Sequence, residues 1–130
     1  MDDPMQATQG MQPESWGPSL WHFMHAVSFN FPPRPTREQQ IEYLTFFKSL
    51  GFVLPCKHCR DSYQALTADL DLNVFRSRMT LSKWLYDLHN IINAKVGKPA
   101  YDKSFDRVAQ KYHAMRGGKP RVRSKVVLSS

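Results

Sequence analysis

The residues most able to do chemistry are Cys56 and Cys59, the only two cysteines of the chain, which lie within the stretch 55–60 (PCKHCR). Their separation is about one helical turn, so both sulfur atoms can lie on one face of a helix. Pro55 is typical of a helix start, where free N–H groups and the positive end of the helix dipole stabilise a thiolate. The three basic residues of the stretch add positive charge nearby. The pattern favours a redox-active dithiol, with half of a zinc site or two inert thiols as the alternatives.

Length and composition limit what can surround these cysteines. The chain has 130 residues, of which 42% are hydrophobic and 22% charged, as expected for one globular domain with a single core. The apolar runs are too short to span a bilayer, and the first residues do not resemble a secretory signal. Two cysteines are too few for a disulfide-rich secreted scaffold. The net charge of +7 favours polyanions or an anionic cofactor, without choosing between them.

Apolar periodicity predicts an all-α fold that starts after a flexible segment. Residues 1–15 are polar and contain two prolines, so we expect a mobile arm there. Residues 16–18 (WGP) are expected to form a turn that leads into a first helix. That helix keeps a helical spacing of apolar residues as far as Phe31, and a proline-rich stretch follows it.

The next helices carry recognisable start and stop signals. Thr36 followed by Gln39 resembles a capping box and predicts the start of a second helix, which Gly51 is expected to interrupt. The third helix is predicted to begin near Cys56, and residues 69–80 are expected to form an irregular connector.

The fourth and fifth helices complete a predicted helix bundle. The fourth runs over residues 81–96 and is expected to stop at Gly97 and Pro99. Ser104 is a suitable cap for a short fifth helix. Residues 114–130 are rich in basic residues, and we expect a disordered tail there.

The fourth helix has a polar face that could hold a ligand. His89, Asn90 and Asn93 lie within one helical turn of one another, and lysines follow them. An imidazole, two amides and lysines could bind a planar heterocycle that carries phosphates. The alternative is a solvated polar face with a basic end.

Three segments, in their order and separations, resemble the Erv/ALR family of FAD-linked sulfhydryl oxidases, above all its single-domain members from large DNA viruses. The segments are the pair Trp21 and His25, the pair Cys56 and Cys59, and the run 89–98. The resemblance implies an all-α four-helix bundle with a short fifth helix and with FAD in its mouth. It also implies an oxidase domain over residues 16–113.

The resemblance also implies the roles of individual residues. Cys56 would exchange with the substrate, and Cys59 would face the flavin. The chain would then be a thiol oxidase that makes disulfides and passes electrons to dioxygen, giving hydrogen peroxide. No metal is implied. The residues expected around FAD are Gly17, Trp21, His25, Cys59, His89, Asn90, Asn93, Lys95, Lys98, Tyr101 and Tyr112.

Partners and location follow from the same resemblance. The chain lacks the second dithiol of many family members, so its substrate is expected to be protein thiols or a thioredoxin-like CxxC protein. Many members also have a stapling disulfide where Tyr86 and Lys103 stand here. A homodimer through the first two helices is expected, with Phe23, Phe46 and Phe47 as apolar surface. The expected location is the cytoplasm, that of a host cell or a virion for a viral protein, with the mitochondrial intermembrane space as the alternative.

A non-enzymatic function is the other hypothesis. A basic helical module could bind nucleic acid or protein, with its cysteines structural or holding zinc. The basic tail lacks interleaved aromatic residues, so a platform for stacking bases is not indicated. No second close pair of ligands stands at zinc-finger spacing, which disfavours a zinc site.

Overall fold

The structure is a computed structural model that describes residues 10–117. Within this range the chain forms five α-helices and one 3₁₀ helix, and its one isolated β-bridge joins Gly10 to Cys56. The α-helices are α1 (Pro13–Asn30), α2 (Arg37–Val53), α3 (Lys57–Leu66), α4 (Arg78–Lys95) and α5 (Phe105–His113), and the 3₁₀ helix is Leu72–Arg76. No helix of the described range is long and apolar enough to cross a membrane.

The helices pack as a bundle of four with the short fifth helix against its side. Helix α1 packs against α4, and α2 packs against α3. The 3₁₀ helix contacts both α2 and α4, and α5 packs against α1. The all-α prediction with a short fifth helix is therefore confirmed.

Several predicted helix ends are present as hydrogen-bonded caps. The Gln39 N–H donates to the Thr36 hydroxyl at 3.1 Å, and the Thr36 N–H donates to the Gln39 side chain at 2.9 Å. The Arg107 N–H donates to the Ser104 hydroxyl at 3.2 Å, which begins α5. Gly97, just after α4, has a φ of 78°. Residues with a side chain rarely adopt this left-handed conformation, so the predicted stop of the helix at this glycine is confirmed.

Three predicted boundaries are wrong. The turn at residues 16–18 is absent, because α1 already begins at Pro13 and includes residues 13–15 of the predicted arm. Proline suits the first helical position, and Pro18 inside α1 removes only one backbone hydrogen bond, near an exposed helix start. Helix α4 begins at Arg78, before the predicted start, because Ser77 and Thr80 form a capping box. Helix α2 continues through Gly51.

The bundle encloses a main core, and α5 covers a smaller second cluster. The main core consists of Met24, Phe31, Phe47, Leu50, Leu54, Tyr63, Leu70, Phe75, Leu81, Leu85 and Leu88. Phe47 is fully buried there, so its predicted place on an apolar surface is wrong. Phe23 is exposed as predicted. The second cluster consists of Phe29, Tyr86, Val108 and Tyr112.

Tyr86 ties the segment after α4 back onto that helix. Its hydroxyl donates to the Asp102 carbonyl at 2.6 Å, and its ring meets Phe105 edge-on at 5.5 Å. The Asp102 carboxylate pairs with Arg107 of α5 at 2.7 Å. These contacts link α4, the following segment and α5 at a place where the resemblance implied a disulfide in other family members.

We predict that Tyr86→Phe lowers the free energy of unfolding by about 1 kcal/mol, because it leaves the Asp102 carbonyl without this donor. Urea denaturation followed by circular dichroism measures the change. Tyr43→Phe is the matched control, since the Tyr43 hydroxyl makes no hydrogen bond recorded within residues 10–117. An equal loss of stability in both variants would contradict a role for this hydrogen bond.

Candidate active site

Cys56 and Cys59 form a disulfide at the start of α3. Cys56 is the N-cap residue with an extended backbone, and the Cys59 N–H donates to the Cys56 sulfur at 3.2 Å. The two Cα atoms are 5.1 Å apart. The predicted helix start near Cys56 is confirmed, and the disulfide lies at the end of α3 where the backbone N–H groups have no partner within the helix.

The two sulfur atoms differ in their surroundings. Cys56 is buried, with 7% of its surface exposed, whereas Cys59 is partly exposed and packs against the main core. His58 places a ring nitrogen within 4.8 Å of both sulfurs. Sulfurs joined to each other are not thiolate ligands, and a structural zinc site takes four ligands, so the oxidised pair does not form one.

A buried pair of histidines joins α1 to α4. The His25 Nε2 and His89 Nδ1 atoms are 2.8 Å apart, and one ring donates to the other. Burial, followed by nearby positive charge, lowers the pKa of His25 from 6.5 to about 4 and that of His89 to about 3. Both rings are therefore neutral at pH 7. His25 Nδ1 is buried without a partner among the described atoms.

Aromatic rings stack on this pair. The Trp21 indole lies parallel to the His89 ring, with centroids 3.8 Å apart, and the Tyr101 ring lies 4.2 Å from the same imidazole. Tyr101 also stacks on His25 at 4.8 Å. The Asn90 side chain accepts a hydrogen bond from the Tyr101 N–H at 2.7 Å, which fixes the segment after α4 over the stack.

Helix α5 adds a tyrosine and a lysine at the edge of the stack. The Tyr112 hydroxyl lies 3.0 Å from Nδ1 of His22, and the Tyr112 ring lies 5.6 Å from His25. The Lys111 ammonium is 6.0 Å from the centre of the Tyr101 ring and 5.3 Å from that of Tyr112. The residues predicted from the sequence to bind FAD did not include Lys111 or His22. The position of Lys111 next to Tyr112 on a predicted helix was the one signal for it.

The other predicted residues lie outside this stack. Asn93 and Lys95 lie in the last turn of α4 and Lys98 lies three residues after its end, and both lysines are exposed. The Lys98 charge still contributes to the lowered pKa of His89. Gly17 lies on α1, and a Cβ atom there would meet nothing within 4 Å. The structure thus brings Trp21, His25, His89, Asn90, Tyr101 and Tyr112 together, and leaves Gly17, Asn93, Lys95 and Lys98 at its margins.

Comparison with known proteins relates this chain to one family and to two viral relatives. Residues 18–113 match the family model described as the Erv1 / Alr family. The FAD-linked sulfhydryl oxidase R368 of Acanthamoeba polyphaga mimivirus is 43% identical over 90 residues, covering 68% of this chain and 63% of the relative. The FAD-linked sulfhydryl oxidase 347L of Invertebrate iridescent virus 6 is 30% identical over 103 residues, covering 75% of this chain and 93% of the relative.

Yeast proteins extend the comparison to solved structures. The mitochondrial FAD-linked sulfhydryl oxidase ERV1 of Saccharomyces cerevisiae is 30% identical over 92 residues, which are 71% of this chain and 48% of that protein. The crystal structure of the yeast Erv1 core superposes with a TM-score of 0.72 at 25% identity, covering 82% of this chain and 88% of that one. This chain thus spans about half the length of the yeast relative and under two thirds of the mimivirus relative.

The buried histidine pair predicts a loss of stability in mild acid. The unfolded chain takes up protons near pH 6.5, whereas the folded rings take them up only near pH 4 and 3. The stabilising effect is therefore complete above pH 6.5 and declines as the pH falls. Between pH 7 and pH 5 we expect a loss of up to about 2 kcal/mol for each ring.

Urea denaturation at the two pH values measures this loss. His89→Gln should make the decline smaller, whereas His58→Gln, at an exposed position on α3, should leave it unchanged. An unchanged decline in His89→Gln would contradict the assignment of the pH dependence to the buried pair.

Proposed function

This chain belongs to the Erv1/Alr family, and on that premise we propose that it is an FAD-linked thiol oxidase. It joins two thiols into a disulfide and passes the electrons to dioxygen, giving hydrogen peroxide. The observation that carries the proposal is the disulfide of Cys56 and Cys59 at a helix start, which borders the same core as the stack around His89. A reactive disulfide and a stack of flat rings on one core are what a flavin-linked oxidase needs.

The residues present fit FAD. His25 Nδ1 is a buried polar atom without a partner among residues 10–117, and a ligand with polar ring edges would satisfy it. The stacked aromatic rings can pack against the planar ring systems of FAD, and the ammonium groups of Lys95, Lys98 and Lys111 can pair with its pyrophosphate. When bound, FAD supplies a two-electron acceptor that dioxygen can reoxidise. The proposed binding residues are Gly17, Trp21, His25, Cys59, His89, Asn90, Asn93, Lys95, Lys98, Tyr101 and Tyr112, with Lys111 and His22 added.

The chemistry of the protein's own residues is thiol–disulfide exchange. A substrate thiolate attacks the Cys56 sulfur, forms a mixed disulfide there and releases Cys59 as a thiolate. A second substrate thiol attacks the substrate sulfur, so that a new disulfide leaves and Cys56 becomes a thiolate. The Cys59 N–H that already donates to the Cys56 sulfur stabilises this leaving group, as does the start of α3. The two electrons given up by the substrate thiols then reside on the reduced cysteine pair.

The remaining proposals concern the domain, the assembly and the location. The oxidase domain is proposed over residues 16–113, preceded by residues 13–15 at the start of α1, whereas residues 1–9 of the predicted arm and 118–130 of the predicted tail lie outside the described residues. Phe23 on α1 and Ile41 on α2 are exposed and supply apolar surface for a homodimer. The location proposed is the cytoplasm of a host cell or the virion, with the mitochondrial intermembrane space as the alternative. The proposed place of FAD is the mouth of the bundle, where the binding residues named above would hold it.

We predict that the purified protein contains FAD and that Cys56→Ser and Cys59→Ser each abolish oxidation of dithiothreitol while keeping the cofactor. Both cysteines are needed for exchange, whereas the stack that holds FAD is intact in each variant. Visible absorbance measures bound FAD, and an oxygen electrode measures turnover. Ser49→Ala, at a position outside the site on α2, is the control. Turnover in either cysteine variant, or a wild-type protein that takes up no FAD on refolding, would contradict the proposal.

We also predict faster oxidation of a thioredoxin-like CxxC protein than of a reduced unfolded protein at equal thiol concentration. Two cysteines supply one dithiol, so no second pair within the chain collects electrons from buried substrate thiols. A thioredoxin near −270 mV passes electrons readily to a site that is about 30 mV more oxidising, a tenfold advantage in equilibrium. Oxygen consumption measures both rates. Equal rates with the two substrates would favour a direct oxidase instead.

A further inference from the structure

The backbone of residues 10 and 11 lies against the backbone of Pro55 and Cys56, at the start of the reactive disulfide. The Met11 N–H donates to the Pro55 carbonyl at 2.6 Å, and Gly10 forms an antiparallel bridge with Cys56. The Met11 carbonyl in turn accepts a hydrogen bond from the Trp16 indole at 3.0 Å. We call residues 10 and 11 the strap. The strap is held to α1 on one side and to the backbone of the active-site cysteine on the other.

The strap lies too close to Cys56 for a side chain at position 10. Gly10 has a φ of 97°, which side-chain-bearing residues rarely adopt. A Cβ atom there would stand 2.5 Å from the Pro55 carbonyl oxygen and 3.1 Å from the Cys56 Cα atom. The close contact therefore depends on glycine, and a larger residue at this position would push the strap away.

This arrangement conflicts with the chemistry of Cys56 unless the strap moves. Cys56 is the cysteine that a substrate thiolate must reach, yet only 7% of its surface is exposed. By contrast, two apolar residues that shortly precede Cys56 are largely exposed, Phe52 by 72% and Val53 by 65% of their surface. Exposed apolar groups beside a covered reactive atom indicate a surface that a substrate contacts once the strap has left.

We propose that the backbone at Pro55 and Cys56 is the docking edge for an extended substrate segment that carries the attacking cysteine, and that the strap occupies this edge in the free protein. The proposal rests on the proposed function and specifies its substrate as a segment in extended conformation. The strap is itself an extended segment, so its pairing with Pro55 and Cys56 shows the backbone geometry in which a substrate segment would bind. An extended peptide adds a backbone N–H to the Pro55 carbonyl and places its side chains near Phe52 and Val53.

The same contacts disfavour the interior of a helix as the occupant. Beyond its first turn a helix has its backbone N–H groups bonded internally, so those residues cannot replace the donor that Met11 supplies. The strap precedes α1 and is not part of it, so a substrate can displace residues 10 and 11 from this edge without unfolding α1. Displacement then uncovers the Cys56 sulfur at the moment when the substrate cysteine arrives.

The first test removes the strap from its edge. Gly10→Val should raise kcat/KM for a short unstructured peptide with one cysteine by about fivefold, the value of one hydrogen bond. The rise for dithiothreitol, which has no backbone to dock, should be smaller. Trp16→Phe loosens the same strap through its other hydrogen bond and should act in the same direction. Gly117→Val is the control, since nothing lies within 4 Å of that position.

Circular dichroism and FAD content establish that each variant is folded. No rise with the peptide in the folded Gly10→Val and Trp16→Phe proteins, or an equal rise with dithiothreitol, would overturn the docking edge.

The second test measures binding without turnover. A fluorescent peptide with serine in place of its cysteine should bind the Gly10→Val protein about fivefold more tightly than the wild type. Methylating the peptide nitrogens one at a time should weaken binding at one position, the one that replaces the Met11 N–H. Equal binding by all the methylated peptides would overturn the proposal. A wild type that oxidises no dithiothreitol would refute the proposed function, whereas this binding test would still report on the edge.

Discussion

The contact on which the site depends is the hydrogen bond between His25 and His89. It joins α1 to α4 inside the bundle, between residues far apart in the chain. Both rings are buried and neutral, so the pair adds a directional link without a buried charge. Trp21 and Tyr101 stack on it, and Asn90 fixes Tyr101 in turn. Removing the pair would therefore leave the stacked rings without their central element.

The disulfide is positioned by a different constraint, which is the change of direction between α2 and α3. The Arg60 side chain donates to the Leu54 carbonyl at 2.6 Å, and the Tyr63 hydroxyl donates to the Phe47 carbonyl at 2.6 Å. These bonds hold α3 against the end of α2 and so fix where its first residues lie. The dithiol thus stands on a rigid element, and residues 10 and 11 lie against the backbone just before it. A rigidly held disulfide suits the proposed exchange, in which a substrate thiol must reach one defined sulfur atom.

Local patterns predicted most of the fold, and the parts they missed depend on distant contacts. The capping box at Thr36 and the cap at Ser104 are short-range features, so the sequence alone contains the information for them. The spacing of the two cysteines likewise predicted a helix start. The bridge from Gly10 to Cys56 joins segments that no local pattern connects. The orphan atom of His25 is also visible only once both helices are packed.

The hydrogen bond from Tyr86 has a consequence for where this protein can work. With two cysteines in the whole chain, the one internal disulfide is also the one that the proposed exchange would open and reform. A scaffold cross-linked by a second, strained or exposed disulfide would be open to reduction in a reducing compartment. Here a phenol and a carbonyl hold α4 to the following segment, and neither group is reducible. The framework therefore contains no reducible link here, so an electron donor strong enough to reduce disulfides throughout a cell would convert the Cys56–Cys59 disulfide into a dithiol without loosening the packing of α4.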